Sequence, residues 1–320
     1  MTLQVVLCVR ESAAHEWLQG LKSALVERGV AANVWWRDAA LSEARNDAPH
    51  ADVAVVWRPP EALFVEQRGL RTVFNLGAGV DALLALRGFP PNVQLIRLED
   101  AGMAPALTEY VLAAVLRVYR SFDRYAALQA AGRWKPGKLR ERSGYAIGVL
   151  GLGVIGCAIA HSLARHGFRV RGFARTQKQV EGVDCRAGAT EFGPFLDGLD
   201  VLVNILPLTP DTRGLLDRAA LRRLAAGAHV VNVGRGATLV DADLLALLDD
   251  GHLGGATLDV FAIEPLPSDH PFWRRSEILI TPHVSAVTEW KPSVAQVADK
   301  LVALSRGEAV SGVVDLARGY

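Results

Sequence analysis

Short runs of apolar and β-branched residues recur through the first hundred residues, separated by segments of helical or turn character. The runs are Gln4–Val9, Ala32–Trp36, Val53–Trp57, Thr72–Asn75 and Gln94–Ile96. Strands that alternate with helical segments are typical of a parallel sheet with crossover helices. The pattern therefore predicts one α/β lobe at the start of the chain.

A long helix is predicted to lead out of this lobe. From Pro105 to Ala131 the apolar residues recur at helical spacing, and Gly132 follows them. A proline in the first turn and a glycine just past the end are common at helix boundaries. A polar loop at Arg133–Arg142 then precedes a second series of strands. These are Ala146–Leu150, Arg169–Phe173, Val201–Ile205, His229–Val233, Gly255–Leu258 and Ile278–Ile280.

The second series has helical stretches between most of its strands, which predicts a complete doubly wound parallel sheet. A last helix near Pro292–Ser305 falls after that sheet is finished. We expect it to pack back on the first lobe, which would make that lobe discontinuous in sequence. The predicted fold class is α/β, with two lobes and a cleft.

Composition indicates the class of partner. The chain has 320 residues, half of them hydrophobic, with 35 basic and 34 acidic side chains. Because the charges nearly cancel, no overall field would draw the protein to nucleic acid or to an anionic membrane, and a small-molecule partner is expected. The apolar run Leu3–Val9 is too short for a signal-peptide core or a membrane span.

The cysteines give an expectation about compartment. Cys8, Cys157 and Cys185 are widely spaced, with no CxxC motif or Cys/His cluster. This spacing predicts no metal site. Small buried thiols are typical of a reducing compartment, so a cytoplasmic location is expected.

A glycine-rich turn carries the first functional prediction. Gly151, Gly153 and Gly156 form a G-x-G-x-x-G pattern between a predicted strand and a predicted helix, and another strand follows. The first glycine permits a tight turn, the second lets backbone N–H groups approach a pyrophosphate, and the third allows close helix–sheet contact. The helix N-terminus, with Val154 and Ile155, would face the phosphate charge. The alternative is a turn that binds no ligand.

The residues after the next strand indicate which dinucleotide is used. An acidic residue normally holds the ribose 2′-hydroxyl of NAD there, but this chain has Arg175, Thr176 and Lys178 and no carboxylate. Arginine can grip a 2′-phosphate bidentately, whereas a carboxylate would repel it. We therefore predict that NADP(H) is preferred, with NAD(H) possible if Arg175 only faces solvent.

Three charged or titratable residues, Arg235, Glu264 and His283, follow later strands of the same sheet. Reduction of a 2-oxo acid needs a cation for the carboxylate and an acid for the developing alkoxide. Arginine and histidine supply these, and a carboxylate beside the histidine would favour its charged form. Taken singly, each residue has a simpler alternative: a turn histidine, a phosphate or surface contact for the arginine, and a loop cap for the glutamate.

Five segments resemble the signature segments of the D-isomer-specific 2-hydroxyacid dehydrogenase family. They are Gly234–Gly236, Leu258–Phe261, Glu264–Pro267, Thr281–His283 and Asn204–Thr212. Together with the glycine motif they cover the whole second lobe in the family's order. Enzymes of this family are oxidoreductases that act on the CH–OH group of 2-hydroxy acids.

Within that family the chain is most similar to the bacterial glyoxylate/hydroxypyruvate reductase A group. This narrower resemblance rests on Leu76–Asp81, Val56–Pro60, Trp134–Pro136 and Ala317–Tyr320. It extends over nearly the full length of the chain.

The resemblance implies a doubly wound dinucleotide-binding domain at 102–288, inserted in a smaller flavodoxin-like substrate domain at 1–101 and 289–320. It implies that Arg235 binds substrate, that His283 is the acid/base and also contacts substrate, and that Glu264 orients and charges the histidine. It places Asp259 at the nicotinamide amide and implies a homodimer. Further cofactor contacts would be Leu206, Pro207, Leu208, Thr212, Val233, Gly234 and Ser285, and further substrate contacts would be Trp57, Ala78 and Gly79.

The expected function is NADPH-dependent reduction of small 2-oxo acids such as glyoxylate and hydroxypyruvate. The chain departs from the group at Glu289, near which the group tends to carry an arginine, while Trp57, Arg58 and Trp290 could shape the pocket differently. One alternative is therefore a dehydrogenase of another D-2-hydroxy acid. The other, from a different class, is a non-catalytic protein that binds nicotinamide dinucleotide as a sensor.

Overall fold

The computed structural model describes residues 2–45 and 47–320, and the chain divides into two compact units. One unit comprises residues 1–102 and 288–320, and the other comprises residues 103–287. The assignment of one unit to substrate and the other to the dinucleotide stays a prediction.

The first unit is built on a five-stranded parallel sheet with strand order β2-β1-β3-β4-β5. Residues from alternate positions of β1 and β3 enter hydrophobic clusters on opposite faces of this sheet, so both faces are buried. Its elements before the second unit are β1 (Leu3–Val9), α1 (Glu11–Glu27), β2 (Ala32–Asp38), β3 (Val53–Val56), α2 (Ala62–Glu66), β4 (Thr72–Asn75), α3 (Asp81–Leu84) and β5 (Gln94–Arg97).

The second unit is a seven-stranded parallel sheet with order β12-β11-β10-β9-β6-β7-β8. The strand order reverses between β6 and β9, which is where ligands bind in such sheets. Its elements are α4 (Met103–Tyr119), α5 (Phe122–Ala130), β6 (Ala146–Leu150), α6 (Val154–Arg165), β7 (Arg169–Ala174), β8 (Val183–Ala187), α7 (Ala189–Leu196), β9 (Val201–Asn204), α8 (Arg218–Leu221), β10 (Ala228–Asn232), α9 (Asp241–Asp249), β11 (Leu253–Leu258) and β12 (Ile278–Ile280).

The chain then returns to the first unit. Helix α10 (Trp290–Ser305) buries Val294, Val297, Ala298 and Leu301 in the same cluster as the apolar face of α1. The segment after it pairs with β5, where the Arg97 N–H donates to the Gly312 carbonyl at 2.9 Å. Among the residues that the structure describes, every helix is too short or too polar to span a bilayer.

The predicted α/β fold with two parallel sheets is confirmed. The single helix predicted from Pro105 to Ala131 is wrong, because Ser121 has a left-handed backbone (φ +55°) that separates α4 from α5. Helix α5 buries none of its residues, so no packing holds it in line with α4.

Strand β8 was not predicted from the sequence. It lies at one edge of the second sheet, where it pairs only with β7. Its charged residues Asp184 and Arg186 alternate with smaller side chains. Because an edge strand needs no continuous apolar run, its hydrophobic signal is weak.

A histidine in the second sheet gives a test of the fold. His229 lies on β10, is 6% exposed, and has its Nε2 3.0 Å from the Thr257 hydroxyl on β11. Burial lowers the pKa of this imidazole from 6.5 to about 4. The folded protein therefore keeps His229 neutral at pH values where the unfolded chain binds a proton.

We predict that this histidine weakens the fold as the pH falls from about 6.5 toward 4, since only the unfolded state gains the proton in that window. The loss is up to roughly 3 kcal/mol. Urea unfolding of wild type and His229→Gln at pH 7 and pH 4.5 measures it, and the variant should lose less stability between the two. The control is His15→Gln, at an exposed position on α1. Equal losses in wild type and His229→Gln would contradict the prediction.

Candidate active site

The predicted site segments of the second unit lie at one edge of its sheet. They follow β6, β9, β10, β11 and β12, which are neighbours in the sheet and run parallel. Because the carboxyl ends of parallel strands meet at the same edge, these loops are brought together.

The glycine turn after β6 has the backbone that a dinucleotide site needs. Gly151 has φ +110°, and a Cβ on Gly156 would lie 1.8 Å from the Gly151 carbonyl oxygen. A Cβ on Gly153 would meet nothing within 4 Å, so this position faces open space at the start of α6. Open space at a helix N-terminus fits a pyrophosphate.

Arg175, Thr176 and Lys178 are exposed in the turn after β7. This segment is anchored by Gln177, whose amide donates to the Cys185 carbonyl on β8 at 3.0 Å. The three predicted 2′-phosphate contacts are therefore accessible to a ligand.

The loop after β9 contains four predicted cofactor contacts, which are half-buried: Leu206, Pro207, Leu208 and Thr212. It is closed by Thr212, whose hydroxyl donates to the Pro207 carbonyl at 2.7 Å and accepts from the Thr209 N–H at 2.8 Å. These hydrogen bonds give the loop a defined conformation.

Buried asparagines join the ends of β9 and β10. The Asn204 amide donates to the Asn232 side-chain oxygen at 2.9 Å and to the Thr238 hydroxyl at 2.7 Å. Asn232 and Thr238 both donate to the Arg235 carbonyl, at 3.2 and 2.6 Å. The sequence analysis did not predict a role for Asn232 or Thr238. A polar residue within a buried strand is unusual and could have indicated Asn232, whereas Thr238 lies outside the strands and has no such signal.

Glycines on both sides of Arg235 allow its loop to pack closely. A Cβ on Gly234 would lie 2.7 Å from the Leu206 carbonyl oxygen, and a Cβ on Gly236 would lie 1.9 Å from the Phe261 backbone. Val233 and Gly234 are buried, whereas Arg235 is half-buried and donates from Nη1 to the Gly234 carbonyl at 2.8 Å. The arginine therefore sits at the sheet edge on a tightly constrained backbone.

Asp259 holds the segment after β12, residues 281–285, which we term the histidine loop. Asp259 is fully buried, and its backbone carbonyl accepts from the His283 N–H at 2.8 Å. Its carboxylate accepts from the Thr281 hydroxyl at 2.6 Å, the Val284 N–H at 2.8 Å and the Ser285 N–H at 3.0 Å. These donors satisfy a buried charge whose desolvation would otherwise be costly.

His283 and Glu264 form a hydrogen-bonded pair. The His283 Nδ1 lies 2.8 Å from Glu264 Oε2, and Glu264 Oε1 accepts from the Phe261 N–H at 3.1 Å. The histidine side chain is 39% exposed. With Nδ1 donating to the carboxylate, Nε2 is the nitrogen that can exchange a proton with a ligand.

The predicted substrate contacts of the first unit are Trp57 and two residues of the glycine-rich loop after β4, Ala78 and Gly79. The Asn75 amide donates to the carbonyls of Gly77 and Gly79, at 3.1 and 2.9 Å. A Cβ on Gly77 would lie 2.4 Å from the Trp57 ring, so the indole packs directly on the loop that contains Ala78.

Arg58 and Trp290, the other two residues considered for the pocket, lie in different surroundings from each other. The Arg58 guanidinium lies 5.7 Å from the centre of the Trp57 ring. Trp290 packs against α1, where a Cβ on Gly20 would lie 2.6 Å from its ring. In the described ranges, no group of three or more His, Cys, Asp or Glu residues is arranged to bind a metal.

Comparison with known proteins defines the class. The chain belongs to the D-isomer specific 2-hydroxyacid dehydrogenase family, whose NAD binding domain model matches residues 112–285. The chain is therefore an oxidoreductase of the 2-hydroxyacid dehydrogenase class. The family resemblance inferred from the sequence is confirmed.

The chain is similar to particular relatives over nearly its whole length. It is 45% identical to a glyoxylate/hydroxypyruvate reductase A of Serratia proteamaculans, over 96% of each chain. Among the similar solved structures, two examples match over 100% of this chain and 100% of their own. One is a family member from Xanthobacter autotrophicus in complex with NADPH and MES (37% identity, TM-score 0.91). The other is an NADPH-dependent glyoxylate/hydroxypyruvate reductase from Sinorhizobium meliloti in complex with NADP and sulfate (33% identity, TM-score 0.88).

The glycine turn predicts two distinct mutational effects. Gly156→Ala should destabilise the second unit by roughly 1–3 kcal/mol, because its methyl group would collide with the Gly151 backbone. Gly153→Ala should leave the melting temperature nearly unchanged but weaken binding of a nicotinamide dinucleotide, because the methyl group enters open space that the pyrophosphate would fill. Thermal unfolding and titration with NADPH measure both effects. Undiminished binding by Gly153→Ala would contradict this use of the turn.

Proposed function

We propose that the protein reduces small 2-oxo acids, such as glyoxylate and hydroxypyruvate, with NADPH. The observation that carries the proposal is the 2.8 Å contact between His283 and Glu264 on the same sheet edge as the glycine turn. In this proposal the pair is the acid/base group, and its position at the same edge as a turn suited to a dinucleotide supports that role. The similarity to reductases of these two substrates supports the choice of substrate class.

The residues around the turn fit a nicotinamide dinucleotide. Gly151, Gly153 and Gly156 would hold the pyrophosphate with the backbone of Val154 and Ile155. Arg175, Thr176 and Lys178 would hold a 2′-phosphate. In support, the related structures from Xanthobacter autotrophicus and Sinorhizobium meliloti are complexes with NADPH and with NADP. The loop after β9, together with Val233, Gly234, Asp259 and Ser285, would line the nicotinamide end. When bound, the reduced cofactor supplies a hydride to the carbonyl carbon.

The protein's own groups would then supply charge and a proton. Arg235 would pair with the substrate carboxylate and polarise the carbonyl. His283 would donate the proton on Nε2 to the developing alkoxide, while Glu264 accepts from Nδ1 and stabilises the positive ring. Trp57 and the backbone of Ala78 and Gly79 stay predicted contacts for the substrate.

Assays of the wild-type protein test the reaction and the cofactor together. NADPH oxidation is measured with glyoxylate, hydroxypyruvate, pyruvate and bulkier 2-oxo acids, and repeated with NADH. We expect kcat/KM to be higher with NADPH than with NADH, and higher for glyoxylate and hydroxypyruvate than for pyruvate and the bulkier acids. Preference for a bulkier acid would identify another D-2-hydroxy acid dehydrogenase, and NADPH binding without turnover of any oxo acid would identify a sensor.

The acid/base assignment predicts the effect of removing the histidine. His283→Ala should lower kcat at least a hundredfold, since general acid catalysis contributes about 10²–10⁴-fold. Its Kd for NADPH should stay within about threefold of wild type, because the imidazole is not a phosphate contact. Stopped-flow turnover and fluorescence titration measure the two quantities. Unchanged turnover would refute the assignment.

We further propose a homodimer, which the exposed arm at residues 120–141 supports. Phe122 is 57% exposed and Trp134 is fully exposed, and exposed apolar surface commonly marks protein contacts. Light scattering should give a dimer for wild type and a monomer for the Phe122→Ala/Trp134→Ala double variant. Trp273→Ala, at another exposed tryptophan, is the control and should stay dimeric. A reducing cytoplasm remains the expected location.

A further inference from the structure

A chain of hydroxyl groups lies behind the histidine loop. The Tyr110 hydroxyl on α4 is 2.6 Å from the Thr281 hydroxyl, which is 2.6 Å from Asp259 Oδ1. A carboxylate can only accept, so the Thr281 hydroxyl uses its single hydrogen on Asp259. Tyr110 must therefore donate to Thr281, and the chain runs in one direction from the helix to the carboxylate.

The loop at the end of this chain has a strained backbone. His283 has φ +54°, a left-handed conformation that is unfavourable for a non-glycine residue. Its conformation is held by successive N–H groups of residues 283, 284 and 285, all of which donate to Asp259. The direction of the imidazole thus depends on where the Asp259 carboxylate and Thr281 are held.

Tyr110 connects this arrangement to rigid structure. It lies on α4, which packs against α6 and β10 within the second unit. Burial raises the pKa of the half-buried Tyr110 phenol, so the hydroxyl keeps its proton and remains a donor. If Tyr110 lacked its hydroxyl, Thr281 would lose this hydrogen bond to α4.

We propose that Tyr110 is a positioning residue for catalysis, acting through Thr281 and Asp259 to hold His283 in the orientation that transfers a proton. This inference rests on the proposed function of His283. The Tyr110 hydroxyl is hydrogen-bonded to Thr281, so its influence on the imidazole is indirect. Its effect is on the position of the acid/base group.

Three variants separate positioning from simple packing. Tyr110→Phe should lower kcat about tenfold with KM for the oxo acid within about twofold, because small displacements of a catalytic group cost turnover more than binding. Thr281→Val should lower kcat further, about thirtyfold, and Thr281→Ser should restore it to within about twofold of wild type. The control is Tyr119→Phe, which removes a hydroxyl from the same helix that donates to the Arg140 carbonyl at 2.6 Å.

A second readout needs no turnover. In protein with ¹³C-labelled histidine, the His283 ring signal is assigned by its loss in His283→Ala. It should shift or broaden in Tyr110→Phe and Thr281→Val, and keep its wild-type position in Thr281→Ser and Tyr119→Phe. An unchanged His283 signal and unchanged kcat in Tyr110→Phe would overturn the proposal. If wild type reduced no oxo acid, the proposed function would fail, while this spectrum would still decide the positioning role.

Discussion

The buried carboxylate of Asp259 organises the candidate active-site edge of the second unit. It lies at the end of β11 and is satisfied by donors from the loop after β12, so two neighbouring strand ends are joined through one charged group. A buried carboxylate is strongly unfavourable without such donors. The same interaction holds His283 in a left-handed conformation, from which its ring meets Glu264.

The loops at this edge of the sheet also depend on close approach between backbone segments. Gly156, Gly234 and Gly236 each occupy a position where a Cβ would lie within 2.7 Å of a neighbouring backbone atom. The turn after β6 can therefore close on the start of α6, and the loop after β10 can lie against the loops after β9 and β11. Asn204 and Asn232 satisfy buried polar groups there. The turn that suits a pyrophosphate and the loop that carries Arg235 are consequences of the same packing.

Most of the fold could be predicted because strands buried on both faces leave strong apolar runs in the sequence. The runs at Val53 and Val201 begin where strands β3 and β9 begin. The signal was weak where burial was slight: β8 is an edge strand with two charged residues, and α5 buries none of its residues. At Ser121 neither a change in the apolar pattern nor a glycine marks the end of α4. The break depends on tertiary packing, because α4 is packed in the unit and α5 is not.

The sequence by itself determined the family, the two-sheet architecture and the candidates Arg235, Glu264 and His283, because strand patterns and short motifs are local properties of the chain. The resemblance implied that Glu264 acts on His283, and the tertiary structure gave their contact at 2.8 Å. Only the tertiary structure joined Asp259, Thr281 and Tyr110 in one hydrogen-bonded chain. Tyr110 lies 171 positions from Thr281 in sequence, within a helix whose pattern shows only apolar periodicity. A hydrogen bond depends on distance and direction in space, which sequence spacing does not contain.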